Sequence, residues 1–190
     1  MQTQMPSNTR FLLLVALVLS AAACRFINFG ISNFAPIGAI ALFGGACFAS
    51  RRTAFAVTFA TMLLSDVLLF ASKYPEWSDD GVKWMALGYV AFGISVAIGR
   101  LLRNRRSALN VMMASLAGSM VFFLLSNFGA FIVETNYTKD FAGLVDCYVQ
   151  AIPFFRGTLS GDLTFNALLF GSLALLELRV PALKAESQVA

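Results

Sequence analysis

The sequence contains no histidine, only three cysteines, and few charged residues, which make up 13% of its 190 residues. Without histidine, the chain lacks the side chain that most often shuttles protons near neutral pH and most often binds transition metals. Cys24, Cys47 and Cys147 have no Cys-x-x-Cys spacing, so a structural zinc site is not predicted either. We therefore expect neither a metal nor a cofactor.

Sequence signatures of catalysis and of nucleotide hydrolysis are also missing. The chain has no Gly-x-x-x-x-Gly-Lys loop, no Gly-x-Ser-x-Gly elbow and no His-Glu-x-x-His helix. We therefore expect that it is not an enzyme and that any energy for transport comes from a partner or an ion gradient. One enzymatic alternative is an acid–base pair formed by Asp66 and Asp162, which requires a close approach of the two carboxyl groups.

Apolar residues are abundant. They make up 58% of the chain, and the mean hydropathy is +0.76, whereas soluble domains are about 45–50% apolar and about 25% charged. Six apolar runs are candidate membrane spans, at residues 11–23, 35–49, 53–71, 83–102, 108–133 and 157–178. The first two are shorter than the usual span of about 20 residues, which implies local thinning of the bilayer. The fold class predicted is an all-α membrane bundle of about six helices, with one domain over 11–178 and cytoplasmic tails at 1–10 and 179–190.

Positive charges indicate how this bundle is oriented. With the N-terminus placed inside, nine cations fall on the inner side and five on the outer side; the inner ones are Arg10, Arg51, Arg52, Arg100, Arg103, Arg105, Arg106, Arg179 and Lys184. The positive-inside rule then predicts both termini in the cytoplasm. Topology also explains the net charge of +4, so we expect no nucleic-acid partner.

Two alternatives concern the cysteines. The stretch Ala21-Ala-Ala-Cys24 after a short apolar run is similar to the end of a signal peptide with a weak lipobox, and cleavage there would leave five spans. A disulfide between Cys24 and Cys147 is the second alternative, because both are predicted on the outer side.

Polar residues inside the spans are the main functional clue. Asp66, Asn127 and Asp162 lie in three different apolar runs, and a carboxylate at mid-membrane costs roughly 3 kcal/mol. All three fall in the outer part of their spans, so we expect them to line one polar cup that opens outward. The predicted ligand-binding side chains are Asp66, Asn127, Asp162, Asn33, Arg25, Tyr148 and Asn166.

Structural explanations compete with this cup. Either aspartate would lock the bundle if it paired with Arg25 or Arg156, and Ser115 and Ser119 would serve helix packing. Small residues every four positions predict further close helix contacts; they are Ala16 and Ser20, then Ala41, Gly45 and Ala49, then Ala91, Ser95 and Gly99, and finally Gly157 and Gly161.

The outer loop at residues 134–156 has an amphipathic pattern that ends at Pro153. It predicts an interfacial helix with an aromatic belt or, alternatively, a lid over the cup in which Tyr148 supplies an aromatic ceiling.

Four stretches carry a family resemblance: the run that begins Asn33-Phe-Ala-Pro-Ile-Gly38, then Leu64-Ser-Asp66, Ser126-Asn-Phe-Gly129 and Ile152-Pro-Phe-Phe155. Together they resemble a family of small bacterial membrane proteins of unknown function. That family is distantly similar to the substrate-binding S components of energy-coupling-factor transporters. The resemblance implies six helices, a ligand pocket near the outer face, and docking to a partner membrane subunit through small residues of the first helix.

These observations predict a substrate-binding membrane subunit or a small transporter for a small organic solute. The alternative is a structural or assembly protein of the cell envelope, in which the buried aspartates form internal salt bridges. The expected partners are the lipid bilayer, a small-molecule ligand and a partner membrane subunit.

Overall fold

Six α-helices form the chain in the computed structural model, which describes residues 7–73 and 79–184. They are α1 (Ser7–Ala23), α2 (Ile37–Cys47), α3 (Arg51–Lys73), α4 (Asp79–Leu101), α5 (Ala108–Val133) and α6 (Phe141–Arg179). The described ranges contain no β-strand. The predicted all-α class is therefore confirmed, while most of the two predicted tails lies outside the described residues.

The surface of this bundle is suited to lipid. Four helical stretches are long and apolar enough to cross a membrane, namely Asn8–Phe26, Arg51–Ser72, Ala108–Val133 and Phe141–Arg179, and α2 and the part of α4 from Met85 to Leu101 are shorter apolar helices. Large apolar side chains such as Leu63, Leu168 and Leu175 are more than half exposed. Apolar surface on this scale marks contact with a membrane, so the chain is a helical membrane protein.

The short helix α2 lies at the centre of the bundle. Nine of its eleven residues are buried, and it packs against each of the other five helices. Its length is about 16 Å at 1.5 Å per residue, which is roughly half of the 30 Å hydrocarbon core. The non-helical segment 27–36, which precedes α2, covers the remaining distance across the bundle.

Glycines allow the closest contacts of α2 and of this segment. A Cβ on Gly45 or on Gly99 would clash with the backbone of the facing helix, so α2 and α4 touch along the predicted small-residue faces. Gly157 and Gly161 have a different role, because a Cβ there would clash with backbone atoms of Ser32 and Ala35. The Gly-x-x-x-Gly pair of α6 thus accommodates the segment before α2 and not another helix.

Both described ends of the chain lie at the same end of the bundle. The Arg10 guanidinium donates hydrogen bonds to the carbonyl oxygens of Leu183 (2.8 Å) and Cys47 (3.0 Å). It also pairs with Glu177 at 3.3 Å, and Arg106 pairs with the same oxygen at 3.4 Å. This arginine cluster joins α1, α2, α6 and the connection between α4 and α5 at the end that the charge pattern predicts to face the cytoplasm.

The last helix corrects one prediction. α6 runs without interruption over 39 residues and contains Pro153, so it is about 58 Å long. The predicted separate helix within 134–156 is therefore wrong: Phe141 to Arg156 is the first part of α6. The alternative that this segment acts as a lid stays a prediction. Proline removes one helix hydrogen bond, but packed neighbours in a membrane protein can satisfy the freed carbonyl, so the proline does not end the helix.

The cysteines correct an alternative as well. Cys24, Cys47 and Cys147 are all free thiols, and the thiol of Cys147 donates to the carbonyl oxygen of Asn127 at 3.4 Å. The alternative of a disulfide between Cys24 and Cys147 is therefore wrong.

Candidate functional site

Two neighbouring cavities lie at the end of the bundle opposite the arginine cluster. The larger, which we call the α6 cavity, has a volume of about 510 Å³ and lies between α5, α6 and the segment at residues 33–38. The smaller, the α3 cavity, has a volume of about 320 Å³ and lies between α3, α4 and α5. The same side chains of Ile37, Phe122 and Ser126 line both cavities and therefore form the wall between them.

Polar and aromatic groups line the α6 cavity together. The polar ones are Asn33, Ser126, Asn127, Glu134, Tyr137, Gln150, Thr158 and Asp162, and the phenylalanines are Phe122, Phe123, Phe154 and Phe155. Its described lining includes two carboxylates and no lysine or arginine. A flat solute with a hydrogen-bond donor or a positive charge would meet complementary groups here.

Asp162 lies deepest among these groups and contacts the beginning of α2. The residue is only 2% exposed, and Ser119 Oγ donates to its Oδ2 at 2.7 Å. The first turn of α2 has no side-chain cap from its own sequence; instead, the backbone N–H groups of Gly38 and Ala39 face the Asp162 carboxylate. A carboxylate is favourable there, because the first N–H groups of a helix lack partners and carry partial positive charge.

The residues before α2 explain why this approach is possible. Asn33 adopts a left-handed backbone (φ 60°), which asparagine tolerates better than most residues. A Cβ on Gly38 would lie 2.7 Å from Cγ of Asp162, so only glycine leaves space for the carboxylate. The stretch from Asn33 to Gly38, which is part of the family resemblance, thus shapes one wall of the α6 cavity.

The second oxygen of Asp162 is not satisfied by the protein. Asp162 Oδ1 and Asn166 Oδ1 are buried side-chain atoms that have no hydrogen-bond partner in the described structure. Asn166 lies one helical turn below Asp162, is 2% exposed, and donates from Nδ2 to Ser115 Oγ at 3.0 Å. Two pairs with i, i+4 spacing therefore face each other, Asp162 and Asn166 on α6 and Ser119 and Ser115 on α5.

Asp66 has a different environment in the α3 cavity. Its Oδ1 pairs with the Arg25 guanidinium at 2.6 Å, and the Tyr89 hydroxyl donates to its Oδ2 at 2.6 Å. Arg25 also donates to Ser65 Oγ, and the side chains of Arg25 and Asp66 are 9% and 4% exposed. Both carboxylate oxygens are thus held by protein groups, which matches the structural alternative of an Arg25 pair.

The segment between α5 and α6 borders the α6 cavity through Glu134 and Tyr137. Asp140 caps the first turn of α6 by accepting from the Gly143 N–H at 2.8 Å. This bond, and then the bond from the Thr138 hydroxyl, lower the pKa of Asp140 below its usual value. Asp140 therefore anchors the start of α6 next to the cavity.

The predicted cup is divided in the structure. Asn33, Asn127 and Asp162 line the α6 cavity, whereas Arg25 and Asp66 line the α3 cavity. The two remaining predicted residues line neither of these cavities. Asn166 is buried below Asp162, and the Tyr148 hydroxyl donates to the Leu124 carbonyl oxygen at 2.7 Å beside Phe123. Ligand binding by all seven residues stays a prediction.

Sequence reasoning missed Tyr89, which completes the Asp66 site, and did not include Ser115 and Ser119 among the predicted ligand-binding side chains. The serines carry a readable signal, because their i, i+4 spacing on α5 matches that of Asp162 and Asn166 on α6. Tyr89 carries none: a tyrosine in an apolar span is equally consistent with many environments.

One family comparison covers almost the whole chain. The sequence model of DUF6580, described as a family of unknown function, matches residues 5–183. Neither a curated protein nor a solved structure matches the chain. Because the match spans far more than half of its length, this protein is a member of the DUF6580 family of unknown function.

Proposed function

We propose that this protein binds a small organic solute in the α6 cavity and acts as a substrate-binding subunit or a small transporter. The observation that carries the proposal is Asp162, a buried carboxylate with an unpartnered oxygen in the wall of a cavity. A charge within a membrane bundle is costly and marks functional positions by default. The cavity volume of about 510 Å³ also lies in the usual range for small-molecule sites, about 300–1,000 Å³.

The lining supports a particular kind of solute. Asp162 and Glu134 favour a donor-rich or positively charged group, and the amides of Asn33 and Asn127 offer further hydrogen bonds. The four phenylalanines around them suit a flat apolar portion. A solute of this type would enter from the end opposite the arginine cluster, which the charge pattern predicts to be the periplasmic side of a bacterial inner membrane.

Transport would need energy from outside this chain. Ala16 and Ser20 are exposed on α1, so their small side chains leave this face open to close approach by another helix. We propose docking of a partner membrane subunit there, as the resemblance to S components implies. In this arrangement the protein has no catalytic role of its own.

Native mass spectrometry of the protein purified from membranes of its own bacterium tests solute binding. Ala151 lines the α6 cavity, so Ala151→Phe should fill it and abolish any bound small-molecule mass. Ala167, also on α6, is exposed and lines neither of the two cavities, which makes Ala167→Phe the matched control. A parent protein without a bound solute, or identical masses in all three proteins, would overturn the proposal.

The second candidate function is a structural or assembly protein of the envelope. The fully satisfied Arg25–Asp66–Tyr89 site favours it, because these three residues connect the turn that follows α1 to α3 and α4. Affinity purification of the parent from native membranes distinguishes the two: a stoichiometric envelope protein without any small-molecule mass favours assembly.

A further inference from the structure

We propose that Asp162, Asn166, Ser115 and Ser119 form a binding site for a monovalent metal cation such as Na⁺ between α5 and α6. The site lies below the α6 cavity and shares Asp162 with it. The existence of this cation site does not depend on solute binding; only its coupling to the solute, described below, rests on the proposed function.

Unsatisfied oxygens are the first observation. In the described part of the chain, the buried side-chain nitrogen and oxygen atoms without a hydrogen-bond partner are Asp162 Oδ1 and Asn166 Oδ1. They lie one turn apart on the same face of α6. Buried polar groups are nearly always satisfied, so two neighbouring exceptions require an explanation. Both atoms are acceptors, and a cation satisfies acceptors.

The chemistry of the four side chains is the second observation. Carboxylate, amide carbonyl and hydroxyl oxygens are the ligands that hard cations prefer. Ser119 donates its proton to Asp162 Oδ2, and Ser115 Oγ accepts from Asn166 Nδ2, so each hydroxyl oxygen keeps lone pairs for a cation. All four residues are at most 3% exposed, so the site is shielded from bulk solvent.

Charge balance selects a monovalent ion. Asp162 is the one carboxylate of the four, and no arginine or lysine of the described residues forms a salt bridge with it. The N–H groups at the start of α2 face the Asp162 carboxylate, and the Ser119 hydroxyl donates to it, so the groups around it are donors and partial positive charges. A single positive charge then neutralises the site, whereas a divalent ion would leave an excess charge inside the membrane.

This inference departs from the sequence-based expectation that the chain binds no metal. That expectation rested on the absence of histidine and of paired cysteines, which are ligands for transition metals. Alkali cations instead use oxygens from residues that a sequence presents as ordinary helix-packing groups.

The shared carboxylate couples the cation to the cavity. Asp162 lines the α6 cavity as well as the lower site, so an ion that fixes its side chain changes the affinity of the cavity for a solute. Thermodynamic linkage requires the solute to change cation affinity by the same factor. On the proposed function, this gives transport a source of energy in a cation gradient.

Thermal unfolding of the full chain in detergent tests the cation site without any solute. We expect the unfolding temperature to rise with NaCl concentration in a saturable manner at constant ionic strength, as binding to the folded state requires, and not with choline chloride. Asp162→Asn should abolish the response. A rise with KCl that Asp162→Asn also removes supports the same site.

Serine variants keep the test decisive if Asp162→Asn fails to fold. Ser115→Ala should weaken the Na⁺ response, whereas Ser95→Ala should not, because Ser95 is equally buried but bonds only the Ala91 carbonyl of its own helix. Equilibrium binding of radioactive Na⁺ to the parent provides a direct second measurement. Equal responses to NaCl and choline chloride, or equal loss in the two serine variants, would overturn the site.

Protonation of Asp162 is the competing explanation, and it has its own outcome. If the unfolding temperature depends on pH but not on Na⁺ at any pH tested, a proton occupies the site and the cation proposal is wrong. Solute binding by native mass spectrometry is read separately, so a failure of one proposal leaves the other measurable.

Discussion

Asp66 and Asp162 are the same residue type at nearly the same burial, 3% and 2% exposed, in the same bundle, yet their partners differ. Asp66 has a guanidinium on one oxygen and a tyrosine hydroxyl on the other. Asp162 has a serine hydroxyl on one oxygen and no hydrogen-bond partner on the other, although the N–H groups of Gly38 and Ala39 face the carboxylate. A carboxylate whose two oxygens both have protein partners fixes the positions of helices. A carboxylate with an unpartnered oxygen can still bind a ligand. The difference therefore separates a structural site from a candidate functional site.

The largest test of this comparison is Asp66→Asn. Removing one partner of a buried ion pair leaves the other charge uncompensated, which costs about 3–5 kcal/mol, and the Arg25 side chain is only 9% exposed. We expect a loss of this size in the free energy of unfolding, measured by denaturant titration in mixed micelles. The double variant Arg25→Met with Asp66→Leu should recover most of it, because no charge then remains buried. A near-neutral Asp66→Asn would remove the contrast between the sites.

Gly38→Ala tests the Asp162 site from the side of α2. The new methyl group would clash with the Asp162 carboxylate, and overpacking of this kind costs about 1–3 kcal/mol. Gly171→Ala is the matched control on α6, because no atom lies within 4 Å of its added Cβ. We expect a lower unfolding temperature for the first variant and an unchanged or slightly higher one for the second. Equal effects would show that Asp162 does not pack against α2 as described.

Asp162→Asn sharpens the comparison directly. Asparagine keeps an oxygen that can accept from Ser119 and face the N–H groups of α2, and no buried cation loses its partner. We expect a cost of about 1 kcal/mol or less in sodium-free buffer, the size of a modest capping change, and therefore much less than for Asp66→Asn. A loss as large as that of Asp66→Asn would mean that Asp162 has a charged partner of its own.

Asp140 extends the comparison to an exposed carboxylate and should give the smallest effect. Its folded-state pKa is lowered by the Gly143 N–H bond, so its contribution to stability is present above the unfolded pKa of about 3.9 and is lost as the pH falls through the folded pKa. We expect Asp140→Ala to lower the unfolding temperature slightly near neutral pH. Asp140→Asn should keep the cap there but remove this pH dependence. An equal pH dependence in the parent and Asp140→Asn would contradict the assignment.

Much of the helix pattern was predictable because lipid imposes it. The apolar run at 108–133 predicts α5 with the bounds that the structure gives it, and the run at 53–71 lies within α3. The prediction fails at α6, where Pro153 was interpreted as an end. Proline often ends a helix because it lacks an N–H and its ring clashes with the carbonyl four residues earlier. Membrane helices tolerate proline where other groups satisfy the freed carbonyl, so the residue alone does not determine the boundary.

The candidate site was only partly predictable. The free-energy cost of a carboxylate inside a membrane span identifies Asp66 and Asp162 as unusual from the sequence alone. Helical spacing then places Asp162 and Asn166 on one face of their helix. Which aspartate receives Arg25, and that Asp162 meets the first turn of α2, depends on contacts between residues that are far apart in the chain. Sequence periodicity contains no information about such pairings, so the division of the cup into two cavities appears only in three dimensions.

Because α2 is short, the two halves of the bundle differ in how tightly their elements pack. Where α2 is absent, a segment without regular structure adjoins open space; where it is present, its flanks touch α4 so tightly at Gly45 and Gly99 that a methyl group would not fit. On the proposed function, a solute that reached Asp162 would meet the first turn of α2. Onward passage would then require α2 to move against α4, where these two helices are in closest contact.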